Sequence, residues 1–339
     1  MWCMPQPIRF RILCCAWLAL GSTALTHAQP EPPSAGAGYR KSRLALPTAE
    51  GKTRESPFFL WHPTSDPPRR FEYFLQVGFV APDGAVAPGK HPLIIFSHGY
   101  LGTGEQTIFL MEALARAGYI VASVNHADSL AQRRAGQRLS APKFADARSW
   151  DDKKFRDRRE DMTALLDHLL AQNRDPSSFL HDHIREDAIG IMGHSLGGYT
   201  ALGMIGAWPA WRDERLRAAL LLAPYSQPFL GRLDPGQIKI PAMLQGGTLD
   251  FGITPLLPPI YDKLAAPKYF LVLQQQTHFA WTNILTLGKT TTECLEQPGP
   301  VKLIADYSIA FFDKTLRGTD APLLRKPNDA LQSFRFQEP

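Results

Sequence analysis

The sequence predicts an α/β fold with a mostly parallel central sheet of about eight strands flanked by helices on both faces. Three observations lead there. Short, wholly apolar runs recur along the chain, as in strands buried on both sides. Amphipathic stretches of helical length separate them, which implies crossover connections and helical layers above and below the sheet. The chain's 339 residues, 44% hydrophobic and 20% charged, suit one large globular domain with short extensions.

At the start, Arg9 and Arg11 precede an apolar run over 12–20, and small and polar residues then lead to Thr26, His27 and Ala28. This is the pattern of a secretory signal cut after Ala28. The run falls well short of the roughly 20 apolar residues that span a bilayer. Residues 1–28 are therefore expected to be a signal peptide, and the mature protein secreted or periplasmic with no stable membrane span. Residues 29–50, rich in Pro, Gly, Ala and Ser to about Pro47, read as a flexible linker. A catalytic domain is expected over 51–320 and a tail over 321–339.

Within the domain, 58–61 and 71–80 read as early strands on either side of the turn-rich 63–68. Strands at 92–96, 119–124, 188–192, 218–222, 238–244 and 269–273 then follow. Helices are expected at 105–117, 154–171, 196–207, 258–264 and 301–316. In such sheets the ligand site lies at the carboxyl ends of the strands. Each candidate residue is therefore judged by whether it falls just after a strand. The segment 126–150 has no clear periodicity and would sit at that same edge, where loops shape access.

Charge and cysteine content exclude several classes. The formal charge of +5 falls to +3 once the signal's two arginines are removed, too mild to suggest a nucleic-acid partner. The dense mixed charges between Asp151 and Asp161 read as a solvated helix face. Cys3, Cys14 and Cys15 lie in the signal, so Cys294 remains alone, in a polar loop-like stretch, and reads as an inert thiol. His181-Asp182-His183 precedes a strand's amino end, so it reads as a surface loop rather than a metal site. No metal or organic cofactor is expected.

Gly193-His194-Ser195-Leu196-Gly197 fits the G-x-S-x-G nucleophile elbow, between a buried strand and a helix. A serine there needs a base to take its proton and a third group to orient that base. Only His278 follows Ser195 among the ten histidines. It lies just beyond the 269–273 strand. Among the later carboxylates, Asp250 follows the 238–244 strand at the active edge, whereas Asp234 leads into that strand from the opposite end. The expected triad is thus Ser195, Asp250 and His278. The backbone N–H groups of Leu196 and Tyr100 are the expected oxyanion donors, Tyr100 lying in the Ser97–Gly102 loop. His98 is expected to fix its loop by hydrogen bonds, and His194 to pack within the elbow, rather than react. Trp150, Tyr225, Phe251 and Trp281 flank the site loops, and Tyr100, Tyr225, Phe251 and Trp281 are the candidates for substrate contact.

These motifs resemble those of α/β-hydrolases grouped with dienelactone hydrolases, platelet-activating-factor acetylhydrolases and bacterial polyester hydrolases or cutinases. The likeness covers most of the chain after about Pro57. His98-Gly99-Tyr100, Gly247-Thr248-Leu249-Asp250 and Thr277-His278-Phe279-Ala280 look like the oxyanion, acid and base loops of the polyester hydrolases. In that comparison Tyr100, Leu196 and Tyr225 match substrate-cleft positions. The C-terminal disulfide typical of those enzymes is impossible with one cysteine. The stretch 121–126 and the long 126–150 segment look more like the acetylhydrolases, although Ala223-Pro224-Tyr225 carries no carboxylate where those place their acid. Dienelactone hydrolases use cysteine, which Ser195 replaces here. The resemblance implies hydrolysis of carboxylic esters, of a small-molecule, short-acyl phospholipid or polyester kind, through an acyl-enzyme. An amidase or acyltransferase with the same triad, or a silent binding protein of this fold, are the alternatives.

Overall fold

The computed structural model describes residues 36–48, 51–73, 76–132 and 144–338. The expected signal peptide, 1–28, lies outside the described residues. Six parallel strands form the centre: β5 (His91–Ser97), β6 (Ile120–Val124), β7 (Ile184–His194), β8 (Leu216–Leu222), β9 (Ala242–Gly247) and β10 (Lys268–Leu273). Their spatial order is β10-β9-β8-β7-β5-β6. The chain steps from β5 to β6 on one side and returns to β7 on the other, which opens a crevice beyond the carboxyl end of β5.

Alternate residues of each central strand enter opposite cores. Leu93 and Ile95 of β5 face one layer with Met162, Leu165 and Leu169, while Ile94 and Phe96 face the other with Phe109, Ile304 and Phe311. The first layer holds α2 (Arg156–Arg174), α3 (Leu196–Leu202) and α4 (Leu257–Lys263); the second holds α1 (Ile108–Arg116), α5 (Thr291–Glu296) and α6 (Pro300–Phe312). No helix among the described residues is long and apolar enough to cross a membrane.

Among the described residues the sheet is wider than expected, with eleven strands rather than about eight. Part of the expected linker is β1 (Gly36–Pro47), paired antiparallel along its whole length with β2 (Thr53–Thr64). Its buried Ala37 and Tyr39 enter one core and its buried Leu44 and Leu46 the other, with Arg40, Lys41 and Arg43 between them, so its mean composition looks like a linker's although both ends are anchored. The expected 71–80 strand is a hairpin, β3 (Arg69–Glu72) and β4 (Val77–Pro82). The expected tail carries β11 (Leu331–Gln337), antiparallel to β10. The helix α5 also lay unread, although its start is a capping box in which the Thr290 hydroxyl accepts from Glu293 N–H and the Glu293 carboxylate accepts from Thr290 N–H.

The charged 151–161 stretch is not uniformly solvated. Arg158 and Asp161 are fully buried on the inward face of α2. They continue the stripe of Met162, Leu165, Leu166 and Leu169 back into the first turns of the helix.

Candidate active site

Ser195 sits between β7 and α3 with φ 56° and ψ −117°, a region that costs a side-chain-bearing residue energy and persists only where its surroundings enforce it. The neighbouring glycines do so by letting backbones touch. A Cβ on Gly197 would stand 1.8 Å from the Ser97 carbonyl oxygen, and one on Gly193 would stand 2.2 Å from that of Gly197. Main-chain bonds fix the serine itself: its N–H donates to Leu222 O at 3.0 Å, and its carbonyl accepts from Tyr225 N–H at 2.8 Å.

The Ser195 hydroxyl donates to Nε2 of His278 at 2.8 Å, and Nδ1–H of His278 donates to Oδ2 of Asp250 at 2.7 Å. The structure therefore brings Ser195, His278 and Asp250 together at the strand ends. Asp250 is buried, and the His278 side chain is a quarter exposed. The loops that carry Asp250 and His278 are built as one unit. Leu249 N–H donates to Gln276 O at 2.9 Å, and Gly247 is required there because a Cβ would lie 2.2 Å from that same oxygen. Asp234, by contrast, is exposed in the turn preceding β9.

The loop after β5 passes directly over the serine: a Cβ on Gly99 would be 3.4 Å from the Ser195 Cβ. Its N–H donates to Oε1 of Gln106 at 3.0 Å, whose Nε2 donates to Nδ1 of His194 at 2.9 Å. Nε2–H of His194 in turn donates to the main-chain oxygen of His278 at 2.9 Å. This chain of bonds ties the loop over the serine to the base loop through the elbow. Burial, reinforced by the nearby His278 ring, depresses His194 to about 3 and keeps it the neutral donor that this arrangement needs. His98 is likewise depressed to about 3, first by burial and then by Arg158. Its Nδ1–H donates to Gly99 O at 2.7 Å while its Nε2 accepts from His126 N–H at 2.9 Å. His98 holds its loop as expected, whereas His194, expected only to pack in the elbow, links two loops by hydrogen bonds. The Leu196 N–H belongs to the first turn of α3, where amides have no acceptor within the helix.

A cleft of about 1030 Å³ opens at Ser195 and His278, lined largely by Tyr100, Leu101, Phe144, Phe279, Ile284 and Leu287. Of the four substrate-contact candidates, only Tyr100 lines it. Trp281 is buried behind the site, donating to Gln245 Oε1 at 2.9 Å and stacked on His194. Phe251 projects outward, 79% exposed, on the far side of the acid loop. Tyr225 is buried under Phe144: the two rings meet edge to face at 5.1 Å, and the Tyr225 hydroxyl donates to Phe144 O at 2.7 Å. Tyr100 meets the same Phe144 ring at 5.6 Å. Trp150 packs behind, against Phe144, Tyr199 and Tyr225.

Sequence reasoning missed Gln106, Phe144, His126 and Arg158. His126 stands in a second, fully buried Ser–His–Asp arrangement, accepting from or donating to Ser97 Oγ at 2.9 Å and bonded to Asp161 Oδ2 at 2.8 Å. None of its three side chains reaches solvent. Among the described residues, no cluster of three His, Cys, Asp or Glu side chains is spaced to hold a metal ion.

Residues 144–295 match the PET hydrolase-like family, and residues 82–175 match platelet-activating factor acetylhydrolase, isoform II. Cutinase 2 of Thermobifida cellulosilytica is 27% identical over 247 residues, covering 70% of this chain and 74% of its own length. Cutinase cut1 of Thermobifida fusca is 27% identical over the same length, covering 61% of itself. Among solved structures, a ferulic acid esterase from Streptomyces cinnamoneus superposes with a TM-score of 0.61 at 20% identity, over 91% of this chain and 98% of that one.

Proposed function

We propose that the chain, a carboxylic ester hydrolase of the serine type on an α/β-hydrolase fold, uses Ser195, His278 and Asp250 as nucleophile, base and orienting acid. The reading rests on the unbroken hydrogen-bond chain from hydroxyl to imidazole to carboxylate, at 2.8 and 2.7 Å. Ser195 Oγ attacks the ester carbonyl carbon as its proton passes to His278 Nε2. The negative charge that develops on the carbonyl oxygen is met by the N–H groups of Tyr100 and Leu196, the term that usually contributes most to such reactions. The carbon–oxygen bond to the alcohol then breaks, and the alcohol leaves with the proton from His278. Water, deprotonated by the same imidazole, releases the acid and restores the serine.

The cleft's apolar lining favours esters whose acid or alcohol portion is apolar, a short-acyl phospholipid or a polyester among them. Residues 1–28 would direct export, so that native protein begins near Gln29. The test is a panel of p-nitrophenyl esters of increasing acyl length, run beside a short-acyl phospholipid and an aromatic polyester. Ser195→Ala should abolish both turnover and fluorophosphonate labelling while leaving the circular dichroism unchanged. Folded wild-type protein that takes up no label overturns the assignment.

A further inference from the structure

Arg158 is the one fully buried arginine among the described residues, and esterolysis as written above makes no use of it. A buried guanidinium is costly unless its charge and its donors are all met. Asp128 meets the charge, its carboxylate oxygens lying 2.9 and 2.8 Å from Nη2 and its Oδ2 accepting from Nε at 3.3 Å. The remaining donors go to the loop over the serine: Nη1 donates to His98 O at 2.7 Å and Nη2 to Gly99 O at 3.2 Å.

The second of these bonds bears on catalysis because of peptide geometry. The Gly99 carbonyl and the Tyr100 N–H belong to one planar trans peptide unit and point in opposite directions. Whatever fixes the carbonyl therefore aims the N–H. Gly99 O is fixed by three donors: Arg158 Nη2, His98 Nδ1 at 2.7 Å and Gly102 N at 3.0 Å. Only one of the three carries a charge, and a cation on the carbonyl oxygen also polarises the amide, strengthening its N–H as a donor.

We propose that Arg158, anchored by Asp128, is a positioning residue that orients and polarises the Gly99–Tyr100 peptide so that its N–H meets the oxyanion formed at Ser195. This rests on the triad reading above. Arg158 touches no reacting atom and acts only through the peptide.

The experiment compares wild type with Arg158→Met, Arg158→Lys and Asp128→Asn, with turnover counted per site titrated to completion by a fluorophosphonate. Losing an oxyanion donor costs roughly 10²–10³ in kcat; misaiming one should cost Arg158→Met about 10–10³-fold, with KM changed less than about threefold. Arg158→Lys, which keeps one charged donor, should recover part of the loss. Asp128→Asn, which leaves the arginine in place without its anchor, should show a smaller loss of the same kind. Affinity for a trifluoromethyl ketone, which forms a tetrahedral oxyanion adduct, should fall in step with kcat/KM across the series. A merely structural role lowers Tm and the titratable fraction but leaves kcat per site and ketone affinity at wild-type values, and that result overturns the proposal. Where Arg158→Met does not fold, the lysine and asparagine variants decide by the same criteria. Failure of the triad reading is separately visible, because Ser195→Ala would then retain turnover.

Discussion

Replacing Asp250 by asparagine removes a charge and changes little else. The carboxylate accepts from His278 Nδ1 at 2.7 Å and is only 5% exposed. Before the reaction the imidazole is neutral, and the two groups share a hydrogen bond. In the transition state the imidazole carries the serine's proton, and the pair becomes an ion pair. With charge centres roughly 4 Å apart and an effective dielectric near 20, the attraction is about 4 kcal/mol. An amide keeps the shape but not this attraction, and at 1.36 kcal/mol per decade the loss is about 10³ in kcat. An amide that turns its NH₂ toward Nδ1 would also select the tautomer with Nε2 protonated, which cannot accept from Ser195, so the expected span is about 10²–10⁴. KM should change little, since substrate binding involves no charged imidazole. The assay is steady-state hydrolysis of p-nitrophenyl butyrate at one fixed pH, with Asp234→Asn as the control in an exposed turn at the strand's other end. A loss under tenfold for Asp250→Asn, or an equal loss for Asp234→Asn, refutes the reasoning.

Two further outcomes are expected. Phe144→Ala should uncover the faces of Tyr100 and Tyr225 beside Ser195, so that kcat/KM for a benzoate ester relative to a butyrate ester rises by roughly tenfold, the scale on which pocket size discriminates. An unchanged ratio would show that Phe144 does not limit the acyl site. His194→Gln concerns stability. The folded histidine stays neutral down to about 3, whereas the unfolded one takes a proton near pH 6.5. The unfolded state therefore binds more protons between those values, and wild-type stability falls as the pH drops. Glutamine lacks that component. The wild-type advantage measured by urea unfolding should shrink by up to about 1.4 kcal/mol per pH unit below about pH 6, and a constant difference from pH 7 to 4 would contradict a buried neutral imidazole.

The central strands and the meeting of Ser195, His278 and Asp250 were legible because each leaves a local mark. An apolar run such as 92–96 can hardly be anything but a buried strand, and a serine between glycines after such a run has few other uses. The fifth of these strands is displaced: 238–244 was expected and Ala242–Gly247 is observed. Ile238 is buried but stands outside the sheet, and Pro241, which has no N–H to give a ladder, ends the approach to it. Long-range features left weaker marks. The β1 strand splits its few apolar residues between the two cores and sets arginines and a lysine between them, and only its pairing with β2 reveals it. Arg158 and Asp161 were misread because charge was weighed before phase. Counted back from Leu169, Leu165 and Met162 in steps of three and four, both fall on the inward face of α2, and an ionic pair of positions in that stripe is itself a sign that something beneath needs a charge. Nothing in sequence shows that Phe144 would fold over Tyr225, since that depends on where a non-periodic segment ends in space.

The last strand has a bearing on how the chain is made and handled. β10 carries the loop that ends in His278, and it is an interior strand only because β11 lies outside it. Residues 331–337 are translated after every other element of the sheet, so until they emerge the outer edge of β10 offers unpaired N–H and C=O groups to any other strand nearby. A recombinant version trimmed before Leu331 would keep that edge bare permanently, beside Phe270 and Val272, and would be prone to edge-to-edge aggregation. An affinity tag is therefore better placed ahead of Gly36 than fused against Gln337, where it would crowd the strand that closes the sheet.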